Sequence, residues 1–340
     1  MAPDVSIIVV NRNTRERTLA CLQSIREATA KIFYELIVVD NKSSDGSPTA
    51  IRQREPDATV IALQEPVGFA QACNQAAERA KGRFILVLDA GALVQDGAID
   101  RLVAFARCTP DAQIWGGRTL AADRSPNMLS CAGRMTPWRL FCQVAGLSKL
   151  FAGSGVFNGE AYGGWLRDSD RVVDIVSSRC LLIRADIWRK LNGFDPALVM
   201  HGEDADLCLR AAKLGATPLI TPDAEVVLGN DTARALSGEQ LTGLLAARST
   251  LIRKHWPTGL RWLGQALLQA VPLTHWLAAS VASQKEAAAA WAEVIRTRRT
   301  WRGGHRARPI ARAWAVNVAP RQGAPVAILP VGGNETIPTG

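Results

Sequence analysis

The 340 residues, 48% apolar and 21% charged, have the make-up of an ordinary globular protein of roughly two domains of about 150 residues each. Seven cysteines, odd in number and without a Cys-x-x-Cys pair, suggest neither a disulfide framework nor a zinc site and fit a reducing compartment. The net charge of +9 is unevenly placed: residues 1–247 sum to −1, 248–312 to +10 and 313–340 to zero. A basic excess so confined suits either nucleic acid or anionic lipid.

The start, Met1-Ala2-Pro3-Asp4, lacks a basic region before an apolar run and reads as carrying no signal peptide. Val5-Ser-Ile-Ile-Val-Val10 is a buried strand. Asn13 and Glu16 have capping-box spacing ahead of a helical stripe of Leu19, Leu22 and Ile25. Leu36–Val39 is a second strand, and Ser47-Pro48 reads as an N-cap with proline at the first helical position. Thr59–Leu63 is a third strand. Phe69, Ala72, Cys73, Ala76, Ala77 and Ala80 keep a 3.6-residue period, closed by Gly82. Phe84–Leu88 is a fourth strand, followed by a helix over about Gly97–Arg107 and a short strand near Gln113–Trp115. Residues 120–171 show no sustained period and read as a long excursion over a cleft. Pattern returns at Val172–Ile183, in a helix from Glu203 to Leu214, and in strand-like pieces at Thr217–Ile220 and Glu225–Leu228. Residues 240–300 are largely helical. Strands alternating with helices predict an α/β fold with a mostly parallel sheet, whose ligands lie at the C-terminal strand ends.

Three polar stretches lie at such places. Asp40-Asn-Lys-Ser-Ser-Asp45-Gly-Ser follows the second strand; a carboxylate there accepts hydrogen bonds from a base or ribose, although the same residues build turns. Asp89-Ala90-Gly91 closes the fourth strand. Two acids one residue apart would hold a divalent metal on a diphosphate, but only the first is present. His201-Gly-Glu203-Asp204-Ala-Asp206 opens a helix. Three acids there suit the helix dipole, and one of them, aimed into a cleft, would serve as a general base. No phosphate loop, dinucleotide-binding glycine motif or nucleophile elbow is present. His201, His255, His275 and His305 are too far apart to suggest a metal cluster.

Together, Val5–Thr14, Val38–Ser47, Val67-Gly-Phe-Ala-Gln-Ala-Cys-Asn74, Asn192-Gly-Phe-Asp195 and Gly202-Glu-Asp-Ala-Asp-Leu-Cys-Leu-Arg210 resemble glycosyltransferase family 2, of GT-A fold, in order and spacing. The likeness is to the rhamnosyltransferase-like branch that builds bacterial surface polysaccharides, and Tyr162-Gly-Gly-Trp165 to Val173-Asp174 shares it. The resemblance implies an inverting transfer of a sugar from a UDP-, dTDP- or GDP-type nucleotide-sugar to a glycan or lipid-linked hydroxyl. It implies Asp204 as the catalytic base with Glu203 beside it. Asp40 would bind the donor's base, with Asn11, Arg12 and Asp45 at the same rim, and Asp89 the ribose or diphosphate. The chain departs from the family at three places: Arg12 replaces an aromatic residue, Gly91 the second metal acid, and Leu228 a histidine. Asp89 alone predicts that Mg²⁺ or Mn²⁺ is weakly bound or dispensable, with Arg179 first and Arg12 second as cations for the phosphates. The alternative is a degenerate GT-A domain that binds a nucleotide-sugar or a partner without turnover.

The expected division is a GT-A catalytic domain over 1–235, a helical basic extension over 236–303, and a flexible tail over 304–340. Within the first, the nucleotide-sugar half runs to about 118 and the acceptor half over 119–235. Residues 262–284 contain no Asp, Glu, Lys or Arg but include Gln265, Gln269, Pro272 and His275. An interfacial helix on an anionic membrane fits better than a span; a helix packed on the catalytic domain is the other reading. The aliphatic content argues against nucleic acid. The expected location is cytoplasmic, at the inner face of the membrane, and removing the chain after about residue 247 is expected to leave a more soluble protein.

Overall fold

The computed structural model describes residues 2–199, 201–229 and 236–305; the tail expected over 304–340 lies outside the described residues from 306 onward. The strands, in chain order, are β1 Val5–Asn11, β2 Tyr34–Asp40, β3 Thr59–Ala62, β4 Phe84–Leu88, β5 Ala92–Val94, β6 Ile114–Leu120, β7 Cys131–Ala132, β8 Arg171–Val172, β9 Ile175–Val176, β10 Cys180–Arg184 and β11 Leu219–Leu228. The helices are α1 Arg15–Ala28, α2 Ser47–Arg54, α3 Phe69–Ala77, α4 Ala98–Cys108, α5 Pro137–Val144, α6 Leu147–Leu150, α7 Ala185–Lys190, α8 Glu203–Ala212, α9 Gly238–His255, α10 Arg261–Val281, α11 Lys285–Arg296 and α12 Arg298–Trp301. They form two units. The first takes the described residues 2–131, 167–199, 201–229 and His305, the second 132–166 and 236–304.

The first unit is built on one sheet in the order β3-β2-β1-β4-β10-β6-β11-β5, with β8 beside β11. β1, β2, β3 and β4 are mutually parallel, and β6 and β11 run the same way. β10, β5 and β8 oppose them. Every residue of β1 and β4 is buried, as expected of central strands covered on both faces. Ile7, Val9, Leu22, Ile25, Leu86, Leu102 and Trp115 share one core. The chain steps outward from β1 to β2 and β3, then returns to β4 on the other side of β1. That reversal makes the C-terminal ends of β1 and β4 the switch point at which such sheets take their ligands.

Several local expectations change. No side chain caps α1, which Thr14 precedes. Asn13 instead takes φ 50°, a left-handed conformation that Asn tolerates, and its Oδ1 accepts from Ser44 N at 2.7 Å. Ser47 is the first residue of α2, after Gly46 at φ 79°. The two strand pieces at 217–228 are one strand, β11, whose register against β6 shifts between Thr221 and Glu225. Pro222, which has no N–H to donate, falls in that bulge.

In the second unit α5 shares a core with the C-terminal helices: Leu140, Leu241, Leu245, Ile252, Trp256, Leu268, Val271, Trp291, Val294 and Trp301 are buried together. Ser237 and Gln240 form a capping box at the start of α9. Among the described residues no helix is long and apolar enough to cross a membrane.

Candidate active site

The switch-point edge of the sheet is assembled from strand ends. Asn11 and Asp40 are register partners at the ends of β1 and β2. Asp40 is buried, its Oδ1 accepting from Asn11 Nδ2 at 2.7 Å and its Oδ2 from Ser43 N at 3.0 Å. Asn11 Nδ2 also donates to Ser43 Oγ, and Asn11 Oδ1 accepts from Thr14 Oγ1 and Thr18 Oγ1. All four hydrogen-bonding positions of the amide are thus filled. Asn11, expected at the nucleotide rim, orients Asp40 and has nothing left for a ligand. Arg12 follows it, half-buried.

Asp45 accepts from Arg15 N at 3.0 Å and Ser47 N at 3.0 Å, and also from Ser47 Oγ. Burial would raise its pKa, but the hydrogen bonds from Ser47 and Arg15 outweigh it, so the group stays below the usual aspartate value. Asp45 therefore ties together the first turns of α1 and α2.

Asp89 follows β4. β10 runs antiparallel to β4 with Cys180 opposite Leu88, which brings Arg179 to the same edge. Asp89 N donates to Arg179 O at 3.1 Å, and Arg179 Nη1 lies 3.5 Å from Asp89 Oδ2. Asp89 Oδ1 accepts from Gly91 N at 2.8 Å.

Glu203 and Asp204 open α8 behind Gly202, which takes φ 82°. Asp204 is half-buried; its Oδ2 accepts from Ser178 N at 3.2 Å and its Oδ1 from Ala205 N at 2.7 Å. Glu203 is buried. Its Oε1 accepts from Ser178 Oγ at 3.2 Å, while its Oε2 meets no partner among the described residues. Burial and then the Asp204 charge push the Glu203 pKa up. Burial also raises Asp204, opposed by the amides of Ser178 and Ala205 and by Arg179. An ionised, unpartnered oxygen in that position would be costly, whereas two backbone amides donate to Asp204, so the surroundings favour charge on Asp204 over Glu203. Burial, then Arg179 and His305, depress His201 to about 4, leaving it neutral. Asp206, the third acid, is fully buried and paired with Arg210 Nε at 2.7 Å. Arg210 in turn donates to Leu191 O and Gly193 O.

The remaining motif residues brace this edge. Asn74 Nδ2 donates to Phe194 O at 2.8 Å, and Asn74 Oδ1 accepts from Phe194 N at 2.9 Å. Asn41 makes the same two-way bond with Val67. Phe69 N donates to Val199 O at 3.0 Å, and any side chain on Gly68 would press on that carbonyl.

Gly91 and Leu228, the two expected metal positions, supply no ligand, and among the described residues no group of three or more His, Cys, Asp or Glu is placed to hold a metal ion. The described residues do not fit a divalent cation. Arg17, on the first turn of α1, was not among the expected site residues. Its guanidinium lies over Gly91. The one signal for it in the sequence is a cation where the helix dipole favours an acid.

Residues 6–141 match the profile of Glycosyl transferase family 2. The N-acetylglucosaminyl-diphospho-decaprenol L-rhamnosyltransferase of Mycobacterium tuberculosis is 26% identical over 267 residues, 73% of this chain and 83% of that protein. The chain carries a family 2 glycosyltransferase domain. The glycosyltransferase is also similar to the succinoglycan biosynthesis protein ExoO of Rhizobium meliloti, 26% identical over 76% of this chain and 70% of that protein. Likeness to the O-antigen biosynthesis protein RfbC of Myxococcus xanthus is 24% over 68% of this chain but only 18% of that protein. The similarity thus includes the rhamnosyltransferase-like branch. Among solved structures, the mannosyltransferase PcManGT from Pyrobaculum calidifontis in complex with GDP-Man and Mn²⁺ superposes with a TM-score of 0.51 at 20% identity, covering 89% of this chain and 84% of that one. At that identity the match speaks for the fold, which is GT-A.

Proposed function

We propose that this glycosyltransferase moves a sugar, with inversion, from a UDP-, dTDP- or GDP-type nucleotide-sugar onto a hydroxyl of a lipid-linked glycan in surface-polysaccharide assembly. The observation that carries the reading is the Glu203–Asp204 pair at the start of α8, in which half-buried Asp204 accepts from the amides of Ser178 and Ala205 beside buried Glu203. The acceptor oxygen attacks the anomeric carbon from the face opposite the diphosphate. Its proton passes to Asp204, and the bond to the diphosphate oxygen breaks with the electron pair leaving on the nucleotide. Asp40 and Asp89 stand at the ends of β2 and β4, on either side of β1. Two strand spacings, about 10 Å, separate them, a distance suited to the base and diphosphate ends of one nucleotide. Asp40 keeps acceptor capacity beyond its two internal bonds, since a carboxylate offers about four lone-pair sites. The names of the relatives support the lipid-linked acceptor and the polysaccharide product.

A thermal-shift screen over nucleotide-sugars tests the donor class, because a ligand at 100 times its Kd stabilises by ~2.7 kcal/mol. Gly91 and Leu228 favour a second reading, a domain that binds donor without turnover. Donor consumption with a polyprenyl-diphosphate glycan acceptor separates the two: binding without consumption would leave only the second.

The second unit is the membrane-facing part of this proposal, at the inner face of the cell membrane. Its described residues hold twelve Lys/Arg and four Glu, a net of +8. Trp262, Leu273, Trp276, Leu277 and Val281 are exposed along one face of α10. Trp138 packs on exposed Phe141 and on Phe157, which also meets exposed Phe151. Exposed aromatic and aliphatic groups beside cationic charge suit an anionic lipid surface.

A further inference from the structure

A divalent ion on a diphosphate requires several oxygen ligands, and among the described residues this strand edge offers only Asp89, already 3.5 Å from Arg179 Nη1. The place of the second acid is filled from another element. A methyl group built on Gly91 would overlap Arg17 Nη2 and lie 2.9 Å from both Cζ and Nε of the same guanidinium. A methyl on Gly229, next to Leu228, would lie 3.7 Å from that Nη2. One guanidinium therefore fills the space beside Gly91, one of the two positions at which the resemblance implies metal ligands, and glycine at 91 is what leaves it room. A cation in the first turn of α1 opposes the helix dipole. Arg179 comes to the same edge from the start of β10.

We infer that Arg17 and Arg179 form a guanidinium cradle that takes the donor's diphosphate where a metal ion would otherwise sit. The inference rests on the donor-site reading above. Two guanidiniums carry the charge of one divalent ion and pair with phosphate oxygens in bidentate fashion. Aimed at the bridging and terminal oxygens, they stabilise the charge that develops as the sugar–oxygen bond breaks. Asp89 then anchors Arg179 instead of ligating a metal.

Calorimetry on the full chain with UDP, GDP and dTDP, and with the matching monophosphates, tests this in EDTA and again in Mn²⁺. The wild-type diphosphate affinity is expected to be the same in both. Arg17→Ala should weaken the diphosphate about tenfold or more and leave the monophosphate within about twofold; Arg17→Lys should recover part of the loss. The double variant Arg17→Ala with Gly91→Asp should make diphosphate binding respond to Mn²⁺. Unchanged diphosphate affinity in Arg17→Ala, or a tenfold gain from Mn²⁺ in the wild type, would overturn the cradle while leaving the donor site intact. Failure of the wild type to bind any of these nucleotides would instead remove the donor site, and the cradle with it.

Discussion

Glu203 and Asp204 are neighbours in sequence with different surroundings, and the difference assigns their parts. Asp204 accepts from two backbone amides, whereas Glu203 is buried with one oxygen that meets no partner among the described residues. Asp204→Asn should therefore preserve donor affinity and lower turnover by about 10²–10⁴-fold, the usual share of a general base; near-normal turnover would remove Asp204 from the chemistry. Glu203 makes a separate prediction. Its folded pKa is raised above the unfolded value, so the folded state binds the extra proton. Stability is full below the ordinary glutamate range and falls as pH rises through the range to which burial has moved the group. The slope is at most about 1.4 kcal/mol per pH unit for one proton. Glu203→Gln should flatten that decline in thermal melts, and an equally steep decline in the variant would show that another group causes it. The Gly202-Glu-Asp motif announced these acids in the sequence. Arg17 was not legible in that way, because its meeting with Gly91 joins positions 74 residues apart that only the packing of α1 against the sheet edge brings together.

At the scale of elements, hydrophobic period and strand-end chemistry were legible through β4 and α4, and the motifs proved to be braces as much as binding groups. The Val67–Asn74 motif includes Asn74, which closes a two-way bond on the backbone of Phe194, 120 residues away. Asn74→Ala leaves that N–H and C=O without their partner and should cost about 1–3 kcal/mol, read as a lower urea midpoint at unchanged slope; an unchanged midpoint would mean that the brace contributes nothing. Gly193, at φ 67°, abuts Asn74 Oδ1, so no side chain fits there without breaking the same bond. Residues 132–166 were opaque because their apolar groups follow no single period. Leu140 is matched by partners such as Leu241 and Trp256, a hundred residues further on. The single strand β11 read as two pieces because Pro222 interrupts its alternation at a bulge.

For the molecule as a whole, the grouping of α5 with α9–α12 changes how the membrane proposal has to be tested. The sequence suggested that cutting after about residue 247 would leave a more soluble protein. That cut would run through α9 and strip Trp256, Leu268, Trp291 and Trp301 from the core that buries Leu140, Leu241 and Leu245, so the truncated chain should aggregate. Surface variants are the sound probe. Trp276 and Leu277 are exposed on α10, while Leu268 and Val271 on its other face are buried, so Trp276→Ser with Leu277→Ser changes the surface and leaves the core. The full chain should float with vesicles containing phosphatidylglycerol and much less with phosphatidylcholine alone. Binding should weaken as salt rises, because exposed charges are screened beyond about 8–10 Å. The double variant should lose most of the remaining, salt-resistant binding while melting at the wild-type temperature. Equal flotation of the variant would clear α10 of contact with lipid, and binding that survives both high salt and alkaline carbonate would replace a peripheral attachment with an inserted one.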